Sequence, residues 1–186
     1  MKKIFWFDTE TTGVDFANSA ILELGALIEI DGEIKQEFTL KMQPHDGAVI
    51  SSEALKINKI TPEMWEHYDL SSVGIHKLRV QLSKHVNKYN KNDKFVIAGY
   101  NVEFDIQMLR SAFLRDGDKF FGSWFFWPVI DVQTYVAEGI LSGGLNLVNY
   151  QLSTVCKHCD IDIVAHDALS DIKATRNLYK ILKGYK

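Results

Sequence analysis

The chain has 186 residues, 46% of them hydrophobic and 24% charged, with a net charge of −3 at pH 7. That is enough chain for a domain with a proper core, and the mix excludes a disordered polypeptide. The acidic balance also excludes a broad basic surface for coating long nucleic acid, though not a protein that holds only a strand end, where few phosphates are neutralised.

Neither an internal repeat nor a low-complexity tract nor a linker-like shift interrupts the chain, so residues 1–186 read as a single domain. The apolar and aromatic run 4–7 reads as a buried strand and leaves no room for a secretory signal core. Ile21–Ile30 and residues 34–42 flank Asp31-Gly32, a strong hairpin signal, so the first three strands form an antiparallel meander. A short helix is expected over 51–57, and Thr61 with Pro62 looks like the start of another. Apolar residues at helical spacing predict a helix over 73–89. Phe95–Gly99 is a fourth, buried strand, and Asn101 is placed to cap a helix that runs to Arg115. Residues 129–132 read as a fifth strand leading into a helix near Tyr135, and helices are expected over 145–159 and Ala168–Leu182. The expectation is an α/β fold, with a mixed five-stranded sheet flanked by helices. The longest uncharged run, 139–156, is broken by glycines, amides and hydroxyls and is not membrane-spanning.

Asp8 and Glu10 follow the first apolar run one residue apart, so as strand residues they share a face at its carboxyl end. Open sheets usually place their sites at that edge. Asp105 follows the fourth strand, on the first turn of its helix, and His166 and Asp171 sit where the last helix begins. Two carboxylates about 5 Å apart repel by roughly 3 kcal/mol at an effective dielectric near 20. A cluster of Asp8, Glu10, Asp105 and Asp171 therefore calls for cations, and oxygen-only ligands suit Mg²⁺ or Mn²⁺.

Three segments, Asp8-Thr9-Glu10-Thr11-Thr12-Gly13, Asn101-Val102-Glu103-Phe104-Asp105 and His166-Asp167-Ala168-Leu169-Ser170-Asp171, resemble in order and spacing the motifs of the DEDDh (DnaQ-like) 3′–5′ exonucleases. That family includes proofreading epsilon-type subunits of DNA polymerases, ribonuclease T and oligoribonuclease. A sister branch has tyrosine four residues before the last aspartate. Here that position is Asp167, with His166 before it, which is the pattern of the histidine branch. The resemblance implies an RNase H-like fold and two Mg²⁺ ions around the scissile phosphate, with Mn²⁺ able to substitute. Asp8 would bridge both ions, Glu10 and Asp171 would help hold the one carrying the attacking water, and Asp105 would act through water ligands. His166 would be the general base, a role that suits an imidazole. The substrate implied is a single-stranded 3′ end and the product a nucleoside 5′-monophosphate. The hairpin and C-terminal region most resemble the proofreading subunits, which favours DNA and a polymerase partner. RNA-end trimming is the alternative, as is a nuclease-fold module that docks a polymerase with little turnover.

The same resemblance assigns Glu53, Thr11 and Thr12 to the terminal nucleotide. Asn58 stands where the family often has histidine and retains the ability to bond a sugar or phosphate. Residues 119–127, KFFGSWFFW, hold six aromatics; they read first as core or as a partner interface, such as that of a homodimer, and second as a stacking surface for bases, a role also open to Phe104. Cys156 and Cys159 form a lone C-x-x-C without further zinc ligands, too few for a disulfide scaffold and consistent with a reducing cytoplasm. Lys84, Lys88, Lys91 and Lys94 read as a solvated face.

Overall fold

A computed structural model describes residues 2–164 and 166–184. Its centre is a five-stranded sheet in the order β3-β2-β1-β4-β5. Strands β1 (Lys3–Thr11), β2 (Ile21–Ile30) and β3 (Glu33–Lys41) form the antiparallel meander, and β4 (Phe95–Gly99) and β5 (Phe125–Asp131) extend it in parallel. Helices α1 (Ser52–Asn58), α2 (Pro62–Trp65) and α3 (Ser71–Ser83) lie between β3 and β4 in the chain. Helix α4 (Val102–Arg115) joins β4 to β5, and α5 (Val132–Leu141), α6 (Leu152–His158) and α7 (Ala168–Leu182) follow.

Alternation along β1 divides the core into two layers. Phe5 and Phe7 point to one face and pack with Ile75 and Leu78 of α3 and Ile106 and Leu109 of α4. Trp6 points to the other, among Val132 and Val136 of α5, Val155 of α6 and Ile172 and Leu178 of α7. Asp8 and Glu10 continue the Trp6 series and so face α7, while Thr9 continues the Phe5–Phe7 series and faces α4.

Four boundaries differ from the pattern in the sequence. Strand β1 runs on through the acids to Thr11, because β2 pairs with it all the way. Helix α3 stops at Ser83 rather than continuing to residue 89; beyond it Asn87 and Asn90 accept the backbone N–H groups of Tyr89 and Asn92, local bonds that compete with a helix. The helix expected over 145–159 is only α6, since Asn149 accepts the Gln151 N–H just before it at 3.0 Å. Strand β5 begins at Phe125, drawing part of the aromatic tract into the sheet opposite Phe95 and Val96.

That tract is divided. Phe121, Trp124 and Phe125 are core, with Phe121 edge-on to Phe113 at 5.4 Å, whereas Phe120 and Trp127 are 71% and 63% exposed. Cys156 is buried, which pushes its thiol up to about 12, and Cys159 caps the end of α6. No helix among the described residues is long and apolar enough to cross a membrane.

Candidate active site

Strand β4 pairs with β1 only at Ile4, Phe5 and Trp6, so the carboxyl half of β1 has β2 on one side and an open edge on the other. Asp105, in the first turn of α4, takes up that edge. Its Oδ1 accepts the Thr9 N–H at 3.0 Å and the Thr9 hydroxyl at 2.6 Å. One carboxylate oxygen thus replaces a strand partner, and Asp105, itself buried, is locked beside Asp8. The entry to α4 is fixed in turn by Asp131, whose Oδ1 accepts the Asn101 N–H at 2.9 Å. Asn101 holds its place before α4 in a left-handed conformation, φ 54°, without a side-chain cap bond.

Asp171 arrives from the other face. Gly25 pairs with Asp8 across the sheet, and a Cβ there would lie 2.3 Å from the Ala168 carbonyl carbon and the Leu169 nitrogen. Only a glycine lets the first turn of α7 rest on β2, and that contact brings Asp171 over the acids of β1. Asp167 caps α7 by accepting the Ser170 N–H at 2.8 Å. His166, just before it at φ 67°, donates its backbone N–H to Asp171 Oδ2 at 3.2 Å. One ligand atom from each of Glu10, His166 and Asp171 lies within 4.8 Å of the others, and Asp171 Oδ1 is buried without a hydrogen-bond partner among the described residues.

The electrostatics follow from this convergence. Burial first, then the charges of Asp105, Asp171, Glu10 and Glu23, hold Asp8 well above the usual carboxylate range. Burial, then Asp171, Glu23 and Asp105, push Glu10 up to about 8. Burial takes Asp105 to about 7 despite the two bonds from Thr9, and Asp171 to about 6 despite the one from His166. Four carboxyls that resist ionisation together, one with an orphaned oxygen, fit a hard divalent cation through their oxygens.

The remaining expected residues are held by partners outside this cluster. Thr11 donates its hydroxyl to the Gly13 carbonyl, and its own carbonyl accepts the Asn58 amide at 3.0 Å. Asn58 is buried and also accepts the Ile60 N–H, so it fastens α1 to the end of β1. Thr12 donates its hydroxyl to Val49 O and accepts the Ala20 N–H, while its own N–H bonds Ala20 O. Both Thr12 donors are therefore engaged in bracing the loop. Glu53 is exposed on the first turn of α1, with the Ser51 hydroxyl 3.0 Å away. Phe104 is half-buried and meets Phe16 edge to face at 5.6 Å. The sequence pattern did not single out Thr9, because a threonine in mid-strand looks like ordinary strand composition. It also passed over Glu23, although that residue lies on β2 directly opposite Glu10.

The profile of the RNase T-type Exonuclease family matches residues 5–179. The chain belongs to that exonuclease family. It is 30% identical over 171 residues to the PolC-type DNA polymerase III of Oceanobacillus iheyensis, a match covering 91% of this chain and 10% of the polymerase. It is 28% identical to ribonuclease T of Buchnera aphidicola, covering 92% of this chain and 78% of that enzyme. E. coli exonuclease I, solved in complex with a dT13 oligonucleotide, superposes with a TM-score of 0.79 at 20% identity, covering 98% of this chain and 41% of that one. The chain therefore spans about a tenth of its PolC-type relative and about two-fifths of exonuclease I, and it shares the RNase H-like fold. Members of this DnaQ-like family act on nucleic acid ends and generally use divalent metal ions.

Proposed function

We propose that this chain, a single domain over 1–186, is a metal-dependent 3′–5′ exonuclease that releases nucleoside 5′-monophosphates from single-stranded ends, DNA in preference to RNA. The observation that carries the reading is the meeting of Asp8, Glu10, Asp105 and Asp171 from β1, α4 and α7, with His166 beside Glu10 and Asp171. Asp8, Glu10, Asp105 and Asp171 would hold two Mg²⁺ ions, with Mn²⁺ as a substitute. When bound, such ions stabilise the charge on the attacking and leaving oxygens of an in-line displacement.

The chain's own residues do the rest. Thr9 and Gly25 hold Asp105 and Asp171 in place from opposite faces of the sheet. His166 is exposed next to Glu10 and Asp171, where its ring can accept the proton of the attacking water. The oxygen left on the shortened strand becomes its new 3′-hydroxyl once protonated from solvent, and the phosphate leaves on the released nucleotide. Glu53, exposed on α1, and Phe104, one residue before Asp105, would contact the terminal sugar and base.

The PolC-type relatives favour DNA and a polymerase context, and the dT13 complex of exonuclease I favours a single strand. The longer coverage of ribonuclease T supports a second reading, RNA-end trimming, in which the exposed Phe120 and Trp127 would serve a homodimer interface. The deciding experiment is a digestion time course on matched 3′- and 5′-labelled single-stranded DNA and RNA, with Mg²⁺ and with EDTA. Metal-dependent shortening from the 3′ end, faster on DNA, is expected. Faster loss of RNA selects the second reading, and no shortening with either Mg²⁺ or Mn²⁺ overturns both in favour of a cytoplasmic polymerase-docking module.

A further inference from the structure

On the face of the sheet covered by α7, Glu10, Glu23 and Lys41 form one row across three strands. Glu10 pairs with Glu23 in the β1–β2 register, and Glu23 with Lys41 in the β2–β3 register. Neighbouring strands are about 4.8 Å apart, so Glu23 abuts Glu10 directly. Like charges facing each other in this way destabilise a sheet. Glu23 is nonetheless 5% exposed, and Lys41 Nζ lies 3.2 Å from its Oε2. The ammonium also sits over the Tyr68 ring, 5.6 Å from its centre. Asp167, at the start of α7, acts electrostatically on both Glu10 and Lys41. A threonine or valine at position 23 would pair at lower cost, so the buried acid calls for an explanation beyond strand pairing.

We propose that Glu23 and Lys41 are a positioning pair that directs the Glu10 carboxylate towards the cations and fixes the charge of the cluster. Glu23 repels Glu10 from the β3 side of the sheet. Lys41 holds Glu23 in place and keeps it from competing as a fifth ligand. With Glu23 cancelled by Lys41, the four remaining carboxylates carry the charge that two divalent cations neutralise. The inference rests on the metal-dependent reading above.

Calorimetric titration of the whole chain with Mn²⁺ at pH 8 tests both separately. Wild type is expected to bind two ions; binding of none sinks the metal reading and this inference with it. Glu23→Gln should weaken binding about tenfold or more, the scale of an outer-shell loss. Lys41→Met should shift affinity the other way, with tighter binding and a changed Mn²⁺ electron-resonance spectrum as Glu23 joins the ligands. Lys41→Arg should restore wild-type behaviour. A purely structural salt bridge would move Glu23→Gln and Lys41→Met in the same direction, so same-sign shifts overturn the inference, as do wild-type affinities in both. Far-ultraviolet dichroism identifies a variant that has not folded. In that case the metal-free melting temperature of the variant that does fold decides: Lys41→Met below wild type, or Glu23→Gln above it, supports the pair, and a shift of the opposite sign or none overturns it.

Discussion

The two halves of β1 have opposite characters within one strand. Phe5, Trp6 and Phe7 are buried in the two core layers, with β2 on one side and β4 on the other. Asp8, Thr9 and Glu10 have β2 on one side only and meet Asp105 where β4 has ended. The first half stabilises the protein through apolar burial. The second opposes folding in the absence of a cation, since its acids are pushed towards their neutral forms by burial and by one another. On the proposed function, stability and chemistry are separated along a single strand, and the rigid half holds the costly half in place.

Substitutions in the two halves should therefore diverge most. Asp8→Ala is expected to reduce cleavage to background while raising the metal-free melting temperature. Phe5→Ala should cost about 3–5 kcal/mol of stability. Thermal unfolding in EDTA beside a 3′-end digestion assay checks both, and a destabilised Asp8→Ala would break the comparison. Next in size, His166→Ala should slow the chemical step about 10²–10⁴-fold in single turnovers with little change in melting temperature.

Gly25→Ala sharpens the contrast from across the sheet. The added methyl must displace the backbone at Ala168 and Leu169, and Asp171 with it. A shift of about 1 Å can cost about 10²-fold in rate. An unchanged kcat would show that α7 has room to yield. The smallest effect expected is a slope with pH. Glu10, Asp105 and Asp171 have folded-state pKa values of about 8, 7 and 6, above unfolded values of about 4. The folded chain then holds more protons between those limits, so metal-free stability should fall as pH rises from about 4.5 to 8. Asp93, lowered by its bond from Lys3, titrates below that window. Unfolding in EDTA at pH 5 and pH 8 tests the sign, and saturating Mg²⁺ should flatten the slope.

Much of this was legible in the chain because the signals were local. Asp31-Gly32 between strand-like runs marked the hairpin, Phe95–Gly99 was a short apolar run, and residues 168–182 read as a helix. The acids and His166 were visible from motif and spacing, and Asp8 and Glu10 share a face as a period of two requires. What the sequence hid depended on partners far along the chain. Strand β1 extends through its acids because β2 pairs with them, and the aromatic tract splits between core and surface because β5 starts inside it. Thr9 acquires its role only when α4 swings Asp105 to the edge that β4 leaves open. The Glu10–Glu23–Lys41 row is the clearest case. A regular two-residue hairpin continuing the pairing of Ile30 with Glu33 would set Glu23 opposite Leu40, whereas the irregularity between Ile28 and Glu29 moves it opposite Lys41. A one-residue slip turns every side chain to the other face, so residue types in order could supply the charges, but only the folded register could pair them.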